Sequence, residues 1–153
     1  MSSAGWWLHC PRCGAALGVD AAIVPAVAES VQCRGCAVRY HWVCFGASHG
    51  AWQLLRPADR ATAERFLADY THIRRAEGRG SADPAYYRNL PTVPADDPLR
   101  WQWSMRERSW RHARARVLSP QGEGRRIVDV GAGVGWLANR LASDGHDVVA
   151  CEL

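Results

Sequence analysis

The stretch from Val128 to Leu153, VDVGAGVGWLANRLASDGHDVVACEL, constrains this chain more than any other. Ile127 to Val130 is a short β-branched run suited to a buried parallel strand. The turn after it carries Gly131, Gly133 and Gly135. Trp136 to Leu141 then repeats apolar residues at helical spacing, with Trp136, Leu137 and Leu141 on one stripe. Ser143, Asp144 and Gly145 stop that helix, and His146 to Cys151 reads as a second strand with Glu152 at its carboxyl end. The pattern predicts one β-α-β unit with a right-handed connection.

Glycines between a strand and a helix let the chain turn sharply and let a ligand lie against bare backbone at the positive end of the helix. The residues narrow the ligand. A dinucleotide fingerprint, G-x-G-x-x-G, requires glycine where this chain has Trp136. A phosphate-cradling P-loop requires Gly-Lys-Ser/Thr, and the chain contains no lysine. What stands here is D-x-G-x-G-x-G, from Asp129 to Gly135, with an acid at the end of the next strand.

In these residues the chain resembles the class I S-adenosylmethionine-dependent methyltransferases: Asp129, Gly131, Ala132, Gly133 and Gly135 match their first motif, and Glu152 matches their ribose-binding acid. The resemblance implies that Asp129 faces the cationic amino end of the cofactor's methionine moiety. It implies also that the glycine turn passes under the methionine and ribose, and that Glu152 accepts hydrogen bonds from the ribose hydroxyls. Such a domain is expected to have a seven-stranded Rossmann-like sheet, of which this chain supplies two strands. The resemblance thus covers about the first third of a catalytic domain, and the expected fold class is α/β, truncated after the second strand. The catalytic residues would lie beyond Leu153, so the chain alone is expected to be inactive.

Cys10-Pro-Arg-Cys13 and Cys33-Arg-Gly-Cys36 form two C-x-x-C knuckles with nineteen residues between them, inside the window for a four-thiolate zinc site. Two knuckles on adjacent hairpin tips place four sulfurs tetrahedrally around a closed structural ion. Gly14 and Gly35 are expected to make the tight turns, and Val38 to Val43 a strand. The segment resembles a zinc ribbon. Redox or disulfide pairing is the competing reading of any single C-x-x-C. His41, Cys44 and His49 are further donors, but four cysteines already fill the shell. Val19 to Val31, with Pro25 inside, is expected to be loop and strand, and Phe45 to Arg56 a connector.

Pro57 opens a helix that places Ala63, Phe66, Leu67, Tyr70 and Ile73 on one face and ends at Gly78, with Arg74, Arg75 and Arg79 favoured there by the helix dipole. Gly78 to Asp97 reads as loop. Through Tyr86-Tyr87 and Leu90-Pro91 it resembles an arm over the cofactor pocket of methyltransferases, while the residues alone suit a tethering loop equally. Asp97-Pro98 is an N-cap pair that starts a helix over Leu99 to Leu118, before Ser119-Pro120. Trp103, Trp110, Ala113 and Val117 share one stripe of it, and five arginines, Arg106, Arg108, Arg111, Arg114 and Arg116, occupy much of the rest. Core packing accounts for the tryptophans, and a basic face with tryptophans also suits nucleic acid.

The expected domains are a zinc ribbon over 1–50, a helix and linker arm over 51–98, and the start of the methyltransferase domain over 99–153. No apolar run approaches the roughly 20 residues that span a bilayer, and no signal peptide is evident at the start. A cytoplasmic location follows as an expectation, and there paired cysteines favour metal over disulfides. All nineteen basic side chains other than histidine are arginine, and the net charge of +4 permits an acidic partner such as RNA without demanding one. The leading expectation is a methyltransferase with S-adenosylmethionine and structural zinc, acting on RNA or a small molecule. The alternatives are a non-catalytic zinc-ribbon adaptor that binds RNA or protein, and a nicotinamide enzyme, which Trp136 disfavours.

Overall fold

The computed structural model describes residues 5–21, 23, 25, 29–46, 49–118 and 124–152. Among the described residues the fold is mixed α/β, with three small sheets and four helices. The chain divides into two compact units, Met1–Leu67 and Ala68–Leu153.

The first unit is built from hairpins. β1 (Trp7–His9) pairs antiparallel with β2 (Ala16–Asp20), and β3 (Ser30–Gln32), β4 (Arg39–Gly46) and β5 (His49–Gln53) form an antiparallel sheet in that order. Each C-x-x-C lies at the turn of a hairpin, the first between β1 and β2 and the second between β3 and β4. Cys10, Leu17, Cys33, Val38 and Tyr40 form the buried core, with Leu8, Val31 and Leu54 packed around it. So small a core buries little apolar surface, and domains of this size commonly need a metal or disulfides to stay folded.

The expected connector from Phe45 to Arg56 instead contains β5, which pairs Trp52 with Trp42 in register and stacks the two rings edge-on at 5.7 Å. Gly50 makes that pairing fit. A Cβ there would meet a ring carbon of Trp42 at 2.6 Å, so this glycine is a packing requirement within a strand. In the expected loop and strand between the knuckles, residues 22, 24 and 26–28 lie outside the described residues. So does the expected stop at Ser119-Pro120.

α1 (Pro57–Ala76) begins at proline, with Arg56 bonded to Asp59 at 2.5 Å across its first turn. It ends where Gly78 adopts φ +66°, a left-handed conformation that favours glycine. The expected apolar face is not buried: Phe66 and Ile73 are 52% and 54% exposed, and no residue of α1 is fully buried.

In the second unit, α2 (Pro84–Asn89) replaces part of the expected loop. α3 (Arg100–Arg116) starts later than expected. Asp97 accepts a bond from Leu99 N and shapes a turn ahead of the helix, leaving Leu99 at the N-cap with no side-chain cap. β6 (Arg126–Val130), α4 (Trp136–Ser143) and β7 (Asp147–Cys151) form the expected β-α-β unit, with β6 and β7 parallel and in register from Arg126↔Asp147 to Val130↔Cys151. Leu90 and Leu141 are its buried apolar anchors. Arg140 on α4 donates to the carbonyls of Leu90, Arg88 and Asn89 at 2.8, 3.2 and 2.9 Å, tying α2 to α4. Trp103 of α3 meets Trp136 of α4 edge-on at 6.1 Å, and Arg114 pairs with Asp144 at 2.7 Å. Among the described residues, no helix is long and apolar enough to cross a membrane.

Candidate functional site

The two knuckles repeat one backbone design. In the first, Cys10 N donates to Ala15 O at 2.9 Å and Gly14 N to Cys10 O at 2.8 Å; in the second, Cys33 N donates to Val38 O and Ala37 N to Cys33 O, both at 2.8 Å. These bonds curl each loop so that both thiols point inward. The left-handed residue of the design is Gly14 at φ +75° in the first knuckle. In the second it is Ala37 at φ +59°, not the expected Gly35. Gly35 serves space instead, because a Cβ there would stand 3.1 Å from Cys13 Sγ and from Ala15 Cβ.

Cys10 Sγ and Cys36 Sγ are 3.6 Å apart, Cys13 Sγ and Cys33 Sγ 3.5 Å, and all four sulfurs lie within 4.8 Å of one another. A tetrahedral zinc–thiolate shell with bonds near 2.3 Å has edges of about 3.8 Å. The four cysteines are therefore close enough to bind a metal ion, and all are free thiols. His41 and Cys44 are not part of this cluster, and the His49 side chain lies outside the described residues.

Tyr40, fully buried, places its hydroxyl 3.2 Å from Cys10 Sγ. Burial first, and then the contact with Cys10, push the Tyr40 hydroxyl up to about 12, so it remains a donor. Burial alone would raise the Cys10 thiol, but bonds from Tyr40 and from the backbone of Cys13 and Arg12 draw it below the usual thiol range. At Cys13 the backbone bond from Ala15 lowers, but the Cys33 contact and burial outweigh it, and the thiol is raised. The split follows from thiols that share hydrogen bonds in a partly buried cluster, and a bound divalent cation would favour the thiolate form instead.

The second cluster stands at the carboxyl ends of β6 and β7, where Asp129, Gly131, Ala132, Gly133 and Gly135 follow one another along the chain and Glu152 meets the turn at Gly133. Gly131, Gly133 and Gly135 have φ of +72°, +57° and +70°, with nothing within 4 Å of where a Cβ would stand. Their backbone needs glycine, and the space beside them is open. The turn is tied to the tip of β7: Gly131 N and Ala132 N donate to Cys151 O at 2.8 and 3.0 Å, and Gly133 N donates to Glu152 Oε2 at 2.5 Å. Gly135 N closes the turn on Ala132 O at 2.9 Å. Asp129 Oδ2 is buried without a hydrogen-bond partner among the described residues.

No family model, curated protein or solved structure matches the chain. Tyr40 and Ala37 carried no signal in the sequence, because one acts through a thiol thirty residues away and the other stands where glycine is the usual choice.

Proposed function

We propose that this chain is a S-adenosylmethionine-dependent methyltransferase of class I with a structural zinc ribbon at its start. The observation that carries the cofactor reading is the chemistry around the glycine turn. Its donors Gly131 N, Ala132 N, Gly133 N and Gly135 N already serve acceptors of the chain itself, so they do not form the open nest of N–H groups that holds a phosphate. Two carboxylates, Asp129 and Glu152, flank the same turn. An acidic site with satisfied donors favours a ligand that brings ammonium and hydroxyl hydrogens and no phosphate. The unpartnered Asp129 Oδ2 fits the ammonium of a methionine moiety, and Glu152, which has further lone pairs, fits ribose hydroxyls. The open space beside the three left-handed glycines fits a ligand laid on the backbone.

When bound, the cofactor supplies an already activated methyl group, so the chain's contribution is to position it for in-line transfer. On this reading, Asp129 and Glu152 orient the cofactor, and no residue is assigned to the acceptor. Zinc, held by Cys10, Cys13, Cys33 and Cys36, stabilises the hairpins and takes no substrate, because four thiolates close its shell. Reduced thiols at this spacing suit an intracellular setting.

Calorimetric titration with S-adenosylhomocysteine tests the reading. Binding is expected, and Glu152→Ala and Asp129→Ala should each weaken it by about 1.5–3 kcal/mol, the scale of a hydrogen bond to a charged group. Unchanged affinity in both variants, or tighter binding of a nicotinamide dinucleotide, would overturn it. Metal analysis of protein prepared under reducing conditions should find one zinc per chain.

A further inference from the structure

α3 distributes its large side chains in a way that core packing does not explain. Trp103 turns to Trp136 of α4, and Trp110 is half-buried, so these two account for the helix's packing stripe. Trp101 is 63% exposed and Met105 52%. Positions 101, 105, 108, 112 and 116 recur at the spacing that keeps them on one helical face, so Trp101, Met105, Arg108, His112 and Arg116 form a single solvent-facing stripe about 22 Å long. All five are exposed. The only acid in α3 is Glu107, which faces Arg111 at 4.0 Å, and Arg114 is held by Asp144. Among the described residues, no ion pair engages Arg108, His112 or Arg116.

Beside the stripe, Trp101, Met105 and Arg106 of α3 and Trp136 of α4 line an open, mainly apolar groove of about 490 Å³. Arg106 forms part of its wall, with its guanidinium 4.7 Å from the centre of the Trp103 ring. The molecule thus presents an exposed tryptophan beside an open, mainly apolar groove, and a row of side-chain donors spaced at about 6 Å along the helix.

We propose that this face of α3 binds single-stranded nucleic acid, with an unstacked base lying against Trp101 in the groove and Arg108 and Arg116 meeting backbone phosphates. Aromatic faces that take bases, combined with cations that track the backbone, are what sequence-tolerant binding of a single strand requires. The row of cations complements a polyanion. A bilayer is a poorer fit, because a helix lying on a membrane segregates its apolar face from its charges. Here apolar and cationic residues share one stripe, with Trp101 and Met105 at its start and Arg108, His112 and Arg116 after them on the same face. A duplex is a poorer fit too, since its bases are stacked away from Trp101. The inference stands on α3 and its groove and does not rest on the cofactor reading.

Fluorescence anisotropy of labelled 12-nucleotide oligouridine and oligodeoxythymidine tests it on the full chain loaded with zinc, and the two oligonucleotides separate RNA from DNA. Binding to at least one is expected, with a 12-base-pair duplex at least tenfold weaker. Trp101→Ala should weaken binding about 5- to 100-fold, and Trp101→Phe, which keeps a stacking ring, should restore most of it. Arg108→Gln with Arg116→Gln should flatten the salt dependence, by roughly 1.4 in the slope of log affinity against log salt for two lost phosphate contacts. These positions are exposed, and unchanged circular dichroism will show the variants folded. No binding to either oligonucleotide, equal affinity for the duplex, an unaltered affinity in Trp101→Ala, or tighter binding to 3:1 phosphatidylcholine–phosphatidylserine vesicles would each overturn the proposal. Loss of S-adenosylhomocysteine binding leaves it standing, and so the two readings fail separately.

Discussion

Two single residues decide how well the cysteine cluster is built. Tyr40 is fully buried, and its hydroxyl stands within hydrogen-bond reach of Cys10 Sγ. Partners that orient a metal's ligands typically contribute 10–100-fold in affinity. Tyr40→Phe should therefore lower zinc affinity by about that factor while leaving the hairpins folded at saturating metal, as competition with a colorimetric chelator will show. Ala37 carries the opposite lesson. Its left-handed backbone costs an L-residue about 1–2 kcal/mol, and the equivalent position of the first knuckle is Gly14. Ala37→Gly gives back that strain and loses part of it to the greater freedom of the unfolded chain, so a net gain of about 0.5–1 kcal/mol is expected. Thermal unfolding of the zinc-bound protein measures it, and Gly14→Ala should move the midpoint the other way.

At the scale of elements, α2 is held by two devices. Asp83 caps it, accepting from Ala85 N at 2.8 Å with Pro84 in the first turn, and Arg140 reaches from α4 to three carbonyls at its far end. Arg140→Lys keeps the charge but not the planar fork that spans those carbonyls. A loss of about 1–2 kcal/mol is expected in denaturant unfolding, on the scale of one or two charge-assisted bonds. Asp83→Ala should cost about 1 kcal/mol. These devices show where the sequence could be read and where it could not. The cysteine knuckles and the glycine turn were legible because their residues carry local geometry: Gly131, Gly133 and Gly135 all require positive φ, and the two C-x-x-C loops close on themselves. The Asp83-Pro84 cap was equally local, and composition rich in glycine and proline around it masked it. β5 was not legible, because what makes His49–Gln53 a strand is Trp42 and the β4 edge rather than anything within those five residues. The apolar face of α1 was legible as a pattern, but the pattern does not say what covers it.

Over the whole molecule, the cores of the two units depend on different things, which predicts how the protein comes apart. The hairpin core centres on Cys10, Cys33 and Tyr40, so the residues that bury apolar surface are the same ones that crowd four thiols together. Structural zinc contributes apparent free energies of roughly 10–16 kcal/mol in finger peptides, larger than the stability of most small domains. The β-α-β unit has no comparable metal-ligand cluster among its described residues, and its sheet is exposed: Val128 is 50% and Val130 80% accessible on a two-stranded sheet whose outer edges are unpaired in the described structure. Hydrogen exchange should therefore show two classes of amide in the zinc-bound protein. Those of β3, β4 and β5 should exchange slowly, and those of β6 and β7 faster, because few contacts must break to open them. Removing zinc with a strong chelator should collapse protection in β1 to β5 while α3 and α4 keep theirs. If the hairpins stay protected without metal, the four cysteines do not hold a structural ion. If α3 and α4 lose protection along with the hairpins, the two units fold as one, and stability of the glycine turn is then set by the cysteines at the other end of the chain.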